Sequence, residues 1–438
     1  MATNTATVTE RRTSTDPDKG VTAVERCHEL FLQAVGAALK SEKVTWDGGI
    51  SREDWEDLFR LALAHHMLPL FFEAVFSCPA IATADPERIR SVRQTTCVSV
   101  MQQAVRTMEF LQLYRNWLDA GVEPLVVKGI ICRRLYPNPD HRKSGDEDVL
   151  IRPADYDRVR RVMTSFDMET ADGHAEKRNA FEVPFQKKNS PLYIELHKSL
   201  FASDSAVCGE FNGFFTHVHD RPEIVEVDGV PIRTMAPTEN MFYLILHAFK
   251  HFLYSGFGVR QVCDMMLYAG ENGNRICRKQ VLENCRAVRA EKFAAALFQI
   301  GAERFGFDPE ETGYARAWSG VEVDHQALLE ELVSAGIYGQ ANMSRKHSSN
   351  ITLDAVAAQK QGKKAKNGLI VSVFPPARAL EGRYPYLHKN PWLLPVAWVS
   401  RIVQYGGRSR SEDTSNAAEI LKMGSQRVAL LKQYEIID

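Results

Sequence analysis

Between residues 121 and 235 the apolar residues of this chain change their spacing, and that change limits the fold more than any other feature. Before Gly121 they recur at three- and four-residue steps: Leu30, Phe31, Ala34, Val35 and Ala38, then Trp55, Leu58, Phe59, Ala62 and Leu63. After it they gather into short runs of strand length. Leu125-Val126-Val127 is the first, followed by Lys128-Gly129 and a helix-like 130–136; Asp148-Val149-Leu150-Ile151 is the second. A helix is expected at about 154–166, opened by Pro153. Runs at 181–186 and 192–197 then flank the turn-forming Lys187-Lys188-Asn189-Ser190-Pro191, and 225–232 carries an Asp228-Gly229 hairpin turn. The spacing therefore predicts a mixed α/β unit set inside a helical protein.

The helical parts divide the rest. Residues 1–20, Thr-rich and polar, read as a disordered tail, and 21–120 as an N-terminal helical region. Its third stretch starts near Pro86 and stops at Gly121. After the core at 121–235, a helical domain is expected at 236–338, with Thr238 as an N-cap and helices at 241–254, 259–269 and 279–305. Residues 339–367, with Lys360, Lys363, Lys364 and Lys366, read as a mobile, solvated linker. Residues 368–438 read as a C-terminal helical region interrupted near Gly406-Gly407.

Composition narrows the class of function. With 438 residues, 45% hydrophobic and 25% charged, the chain is not a fibre, a collagen or a wholly disordered protein. Its 54 basic and 55 acidic residues give a net charge of −1, so nothing draws it globally to nucleic acid or anionic lipid. No apolar run reaches the roughly 20 residues of a membrane span, and the N-terminus has no apolar core of a secretory signal. Eight scattered cysteines without a C-x-x-C pair read as reduced thiols of a cytoplasmic protein, not as a zinc site.

The chemistry concentrates around Lys128-Gly129, Arg142 and Gly145-Asp146-Glu147-Asp148. Residues two apart on a strand share a face, with Cα atoms roughly 6.5–7 Å apart. Asp146 and Asp148 would thus project side by side, and two such carboxylates call for a cation, Mg²⁺ being the natural one. Glu147 between them would bury a charge unless the strand begins at Asp148. In Leu192-Tyr193-Ile194-Glu195-Leu196-His197 the apolar residues face one way, and Tyr193, Glu195 and His197 the other. If that strand lies beside Asp148, Glu195 completes a three-carboxylate site suited to phosphoryl chemistry; otherwise it pairs with a surface cation. Lys128 and Arg142 are candidate phosphate ligands, and Arg142 reads equally as a partner of Asp146. His197 either orients substrate and assists a proton or is structural. His247 and His251 share a helix face as packing or cleft-lining residues, zinc being the less favoured reading. Arg260 and Asp264 read as an i, i+4 ion pair.

The succession Lys-Gly, helix, Tyr-Pro, Arg, Asp-x-Asp, helix and Glu-Leu-His resembles the uncharacterised nucleotidyltransferase family within the polymerase-β-like superfamily. The resemblance extends to His247-x-x-x-His251 and Asp264, to Phe374-Pro375-Pro376, and to Arg383-Tyr384-Pro385-Tyr386-Leu387 through Arg401. It implies an α+β fold, a small mixed β-sheet nucleotidyltransferase core flanked by N-terminal and C-terminal helical regions. It also implies Asp146, Asp148 and Glu195 as metal ligands and catalytic residues, with Mg²⁺ or Mn²⁺ as cofactor. Lys128 and Gly129 would stand where the superfamily holds phosphates on backbone N–H groups at a helix start, with Arg142 and His197 completing the nucleotide site. The expected activity moves a nucleoside monophosphate from an NTP, expected to be ATP, to an unidentified acceptor and releases pyrophosphate. The alternative is a non-catalytic nucleotide-binding regulatory or scaffold protein on the same fold. No membrane partner is expected, and nucleic acid is not the favoured acceptor.

Overall fold

The computed structural model describes residues 23–171, 180–254, 256–335, 352–353, 355–360, 380, 384–388, 390–400 and 416–438. The expectations for 1–20, Phe374-Pro375-Pro376 and Gly406-Gly407 lie outside them, as does most of 339–367. The described part of that last stretch is helical, and Lys360 pairs with Glu210, so the solvated-loop reading does not extend to it.

Four helices lead in: α1 (Ala23–Leu39), α2 (Arg52–Ala64), α3 (Leu68–Val75) and α4 (Pro86–Asp119). Ser51 and Asp54 form a reciprocal capping box at the start of α2. Pro86 opens α4 at its first helical position, and Gly121, at φ +69°, turns the chain out of it.

The sheet follows. Strands β1 (Leu125–Val126), β2 (Glu147–Leu150), β3 (Met168–Thr170), β4 (Glu182–Lys187) and β5 (Tyr193–His197) lie in the order β1-β2-β5-β4-β3. Only β2 and β5 run parallel; the other neighbours are antiparallel. Helix α5 (Ile130–Arg133) stands between β1 and β2, and α6 (Tyr156–Ser165) between β2 and β3. A separate hairpin, β6 (Glu223–Val227) and β7 (Val230–Thr234), turns at Asp228 and Gly229, both at positive φ as a two-residue turn of this hand requires. The architecture is α+β, with a small mixed sheet among helices.

Helices α7 (Pro237–Tyr254) and α8 (Val259–Glu271) come next, then α9 (Arg278–Ala287), α10 (Glu291–Phe305), α11 (Tyr314–Ala317) and α12 (Gln326–Ala335), with a last helix at Asn416–Gln433. Two expectations are corrected here. The single helix at 279–305 is two, because Arg289 adopts φ +58° and the Ala290 N–H closes back on the Cys285 carbonyl at 2.8 Å. Thr238 lies inside α7, where its hydroxyl accepts from the Cys277 N–H at 2.9 Å instead of capping its own helix. One contiguous apolar core joins these parts, from Cys27 in α1 through Val149, Ile194 and Leu196 of the sheet to Ile437. Among the described residues no helix is long and apolar enough to cross a membrane.

Candidate active site

The parallel pairing of β2 and β5 builds the site. Asp148 stands opposite Glu195, and Leu150 opposite His197, so the carboxylates of adjacent strands share one face. Their neighbours Val149 and Leu196 are fully buried on the other face. On the far side of β5, Glu182 of β4 lies opposite His197. Asp146 precedes β2 by one residue and keeps the alternation that puts it beside Asp148.

Glu147 does begin the strand and is fully buried, the outcome that would be costly for an unpaired charge. Its carboxylate is satisfied twice over. One oxygen accepts from Arg133 Nη2 at 2.8 Å and the other from the Ile130 N–H at 2.7 Å. Gly129, at φ +53°, permits this, since a Cβ there would overlap Glu147 Oε2. The backbone donor expected to meet phosphate at the Lys128-Gly129 turn therefore meets Glu147, and Gly129 does not line the cleft.

Lys128 points the other way, into the carboxylates. Its Nζ lies 2.7 Å from Asp148 Oδ2 and 3.9 Å from Asp146, and donates to His247 Nε2 at 3.1 Å. An ammonium has no lone pair, so His247 Nε2 is unprotonated there. Burial works against the charge of Lys128, but Asp146 and Asp148 outweigh it and hold the ammonium well above the usual lysine range. Asp148 is also buried, yet Lys128 and the adjacent His197 keep its carboxyl well below the usual range. Glu195 gets the opposite treatment. Burial, then the charges of Asp148, Asp146 and Glu182, push it up to about 9. Two carboxylates opposite each other on adjacent strands are thus driven apart in acidity, Asp148 held charged by Lys128 and Glu195 pushed toward its protonated form.

The opposite wall comes from α7 and α8. Tyr243, His247, Lys250 and His251 share one face of α7, and Arg260, Gln261 and Asp264 continue it along α8. Together with Lys128, Asp146, Asp148, Glu182, Glu195 and His197 they line one cleft. Burial and the nearby Lys128 hold both histidines neutral, His251 at about 3. Arg142 lines the cleft but is committed elsewhere. It grips Asp264 through Nε at 2.7 Å and Nη2 at 2.6 Å, and Tyr136 donates to the same carboxylate at 2.8 Å. This corrects two expectations. Arg142 does not pair with Asp146, and Asp264 takes Arg142 as its partner while Arg260 donates to the Lys143 carbonyl.

Three groups offer ligand atoms that all lie within 4.8 Å of one another: Asp148, Glu195 and His197. His197 Nε2 is 3.3 Å from Asp148 Oδ1 and 3.8 Å from Glu195 Oε2. A cation with bonds of about 2.1 Å sets cis ligands about 3 Å apart and trans ligands about 4.2 Å apart, and both His197 distances fall between those values. Asp146 is not in that group; it stands at the Lys128 side of the cleft. Sequence reasoning missed Tyr243, Lys250 and Glu182, and read Arg260 as a structural partner. The spacing 243, 247, 250, 251 carried the signal for the α7 residues, because it defines one helix face.

Fold and site define a class: a small mixed sheet bearing adjacent strand-borne carboxylates, closed over by helices that bring basic side chains. The model of an uncharacterised nucleotidyltransferase family matches residues 51–306, more than half of the chain, and the chain belongs to that family. Membership implies a nucleoside triphosphate substrate. No curated protein matches the chain, and no solved structure matches it.

Proposed function

We propose that the protein is a metal-dependent nucleotidyltransferase of the polymerase-β-like kind, moving a nucleoside monophosphate from an NTP, ATP in the first instance, to a hydroxyl-bearing acceptor. The observation that supports this most is the register of β2 and β5, which sets Asp148 beside Glu195 and faces both across a cleft toward Lys250 and Arg260. Asp148 and Glu195, with Asp146 at the edge, would hold Mg²⁺ or Mn²⁺; when bound, such an ion supplies charge stabilisation to the triphosphate and acidifies a coordinated oxygen.

The residues of the chain do the rest. Lys128 keeps Asp148 ionised and presents a cation at the floor of the cleft. Lys250 and Arg260 face the triphosphate from the other wall and offset charge as it moves onto pyrophosphate. The acceptor oxygen attacks the α-phosphorus as the bond to the bridging oxygen of pyrophosphate breaks. A carboxylate of the Asp148–Glu195 pair takes the acceptor's proton. Arg142 contributes by bracing α8 through Asp264, not by contact with phosphate.

The test is incubation of the purified full chain with each α-labelled NTP, Mg²⁺ or Mn²⁺, and small hydroxyl compounds, proteins or RNA as acceptors. Label transfer with equimolar pyrophosphate is the expected result. Nucleotide binding with no pyrophosphate release under any of these conditions would leave the non-catalytic, nucleotide-binding alternative.

A further inference from the structure

His197 is almost wholly buried, 3% exposed, at the end of β5, and its two ring nitrogens meet different surroundings. Nε2 converges with Asp148 Oδ1 and Glu195 Oε2, while Nδ1 has no hydrogen-bond partner and faces Glu182 Oε2 at 3.8 Å. A neutral imidazole carries one proton. With that proton on Nε2, Nδ1 is a buried orphan. With it on Nδ1, directed at Glu182, Nε2 turns its lone pair into the space shared by two carboxylate oxygens. Three potential ligand atoms then converge within 4.8 Å of one another, and a bound cation can take the place of a shared proton among them. A histidine whose outer nitrogen donates to a carboxylate while its inner nitrogen ligates is the usual way in which proteins orient an imidazole on a metal. Lys128 leaves room for this, since it engages Asp148 through Oδ2 and not through the Oδ1 that faces His197.

Resting on the metal-dependent reading above, we propose that His197 Nε2 is itself a metal ligand, oriented by Glu182, and that it makes the Asp148–Glu195–His197 site prefer a first-row transition ion over Mg²⁺. Mg²⁺ is a hard ion that takes oxygen ligands and gives up its waters reluctantly. An imidazole nitrogen adds affinity for Mn²⁺ and its row, and Mn²⁺ also accepts the carboxylate and phosphate oxygens that such a site offers. Glu182 acts through His197 and is a positioning residue, opposite it in the β4–β5 register.

The experiment is pulsed EPR on the full-length wild-type protein loaded with Mn²⁺ alone, together with Mn²⁺ and Mg²⁺ affinities for His197→Gln and Glu182→Gln. The expected spectrum shows a directly coordinated imidazole nitrogen. His197→Gln should abolish that coupling and weaken Mn²⁺ binding about tenfold or more while changing Mg²⁺ binding far less. Glu182→Gln should keep the coupling and weaken Mn²⁺ about tenfold. Bound Mn²⁺ without nitrogen coupling in the wild type overturns the proposal and leaves the carboxylate site standing. Equal losses of Mn²⁺ and Mg²⁺ in His197→Gln overturn it as well. If no divalent ion binds to the wild type, the metal-dependent reading falls with it. The wild-type spectrum decides even if a variant does not fold.

Discussion

Residue by residue, the carboxylates of the cleft differ in what holds them, so their substitutions should part company. Asp148 is 2% exposed and paired with the buried Lys128 ammonium, so Asp148→Asn strands that charge. Relief of the repulsion between neighbouring aspartates does not offset this, because Lys128 already screens the pair. We expect Asp148→Asn to cost about 3 kcal/mol in stability, read by denaturant unfolding. Glu195 should behave oppositely. Its carboxyl, raised from 4.5 to about 9, binds a proton more tightly folded than unfolded. Its contribution is fully present below the unfolded value and is lost as pH rises through about 9. Without divalent ions, Glu195→Gln should therefore lose less Tm than wild type between pH 5 and 9, and gain less Tm from added Mn²⁺. A Tm difference that stays constant across that range would contradict the assignment of Glu195 to the carboxylate cluster. The Glu195 position was legible because Leu192, Ile194 and Leu196 alternate with it. The electrostatics were not, because Lys128 and Asp148 meet only after β1 and β2 pair.

At the scale of elements, the start of α5 is tied to β2 by a charge that local reasoning would avoid. Glu147→Gln should weaken both the Arg133 pair and the Ile130 N–H bond, and Gly129→Ala should drive a methyl into Glu147 Oε2. Each should destabilise by about 3 kcal/mol, measured by urea titration, Gly129→Ala through overlap and positive φ together. A Gly129→Ala variant of wild-type stability would show that α5 can shift away from β2. The elements themselves were largely readable: β2, β5, the Asp228-Gly229 hairpin, α4 and α8 fall where periodicity and turn residues put them. What escaped notice has a common cause. Strand β3, three residues long, carries too few positions to show alternation, and the break between α9 and α10 rests on Arg289 at positive φ, with neither Gly nor Pro to announce it. Both are imposed by packing against other elements, which no local window contains.

Across the whole molecule, the cleft exists because two distant parts of the chain are braced together. Arg142, just before β2, and Asp264, on α8, form a bidentate buried pair, 122 residues apart in sequence. Asp264→Asn leaves the Arg142 guanidinium buried beside a neutral partner, and should lower stability by several kcal/mol, about 3–5. It should also raise KM for nucleotide and lower kcat together, since it loosens a wall and not a reacting group. This long-range partner is what spacing could not reveal, because Arg260, four residues away on the same helix, offered an equally plausible one. The central claim, that Asp148 and Glu195, with Asp146 at the edge, form a metal-dependent nucleotidyl-transfer site, is tested most directly at Asp146. It stands at the edge of the cleft, so Asp146→Asn leaves the Lys128–Asp148 pair in place and keeps the fold as a control. The decisive measurement is pyrophosphate release from an NTP at saturating Mg²⁺ or Mn²⁺, wild type against Asp146→Asn. We expect release by the wild type that vanishes on chelation and falls about a hundredfold or more in the variant; equal rates in the two folded proteins would contradict the account.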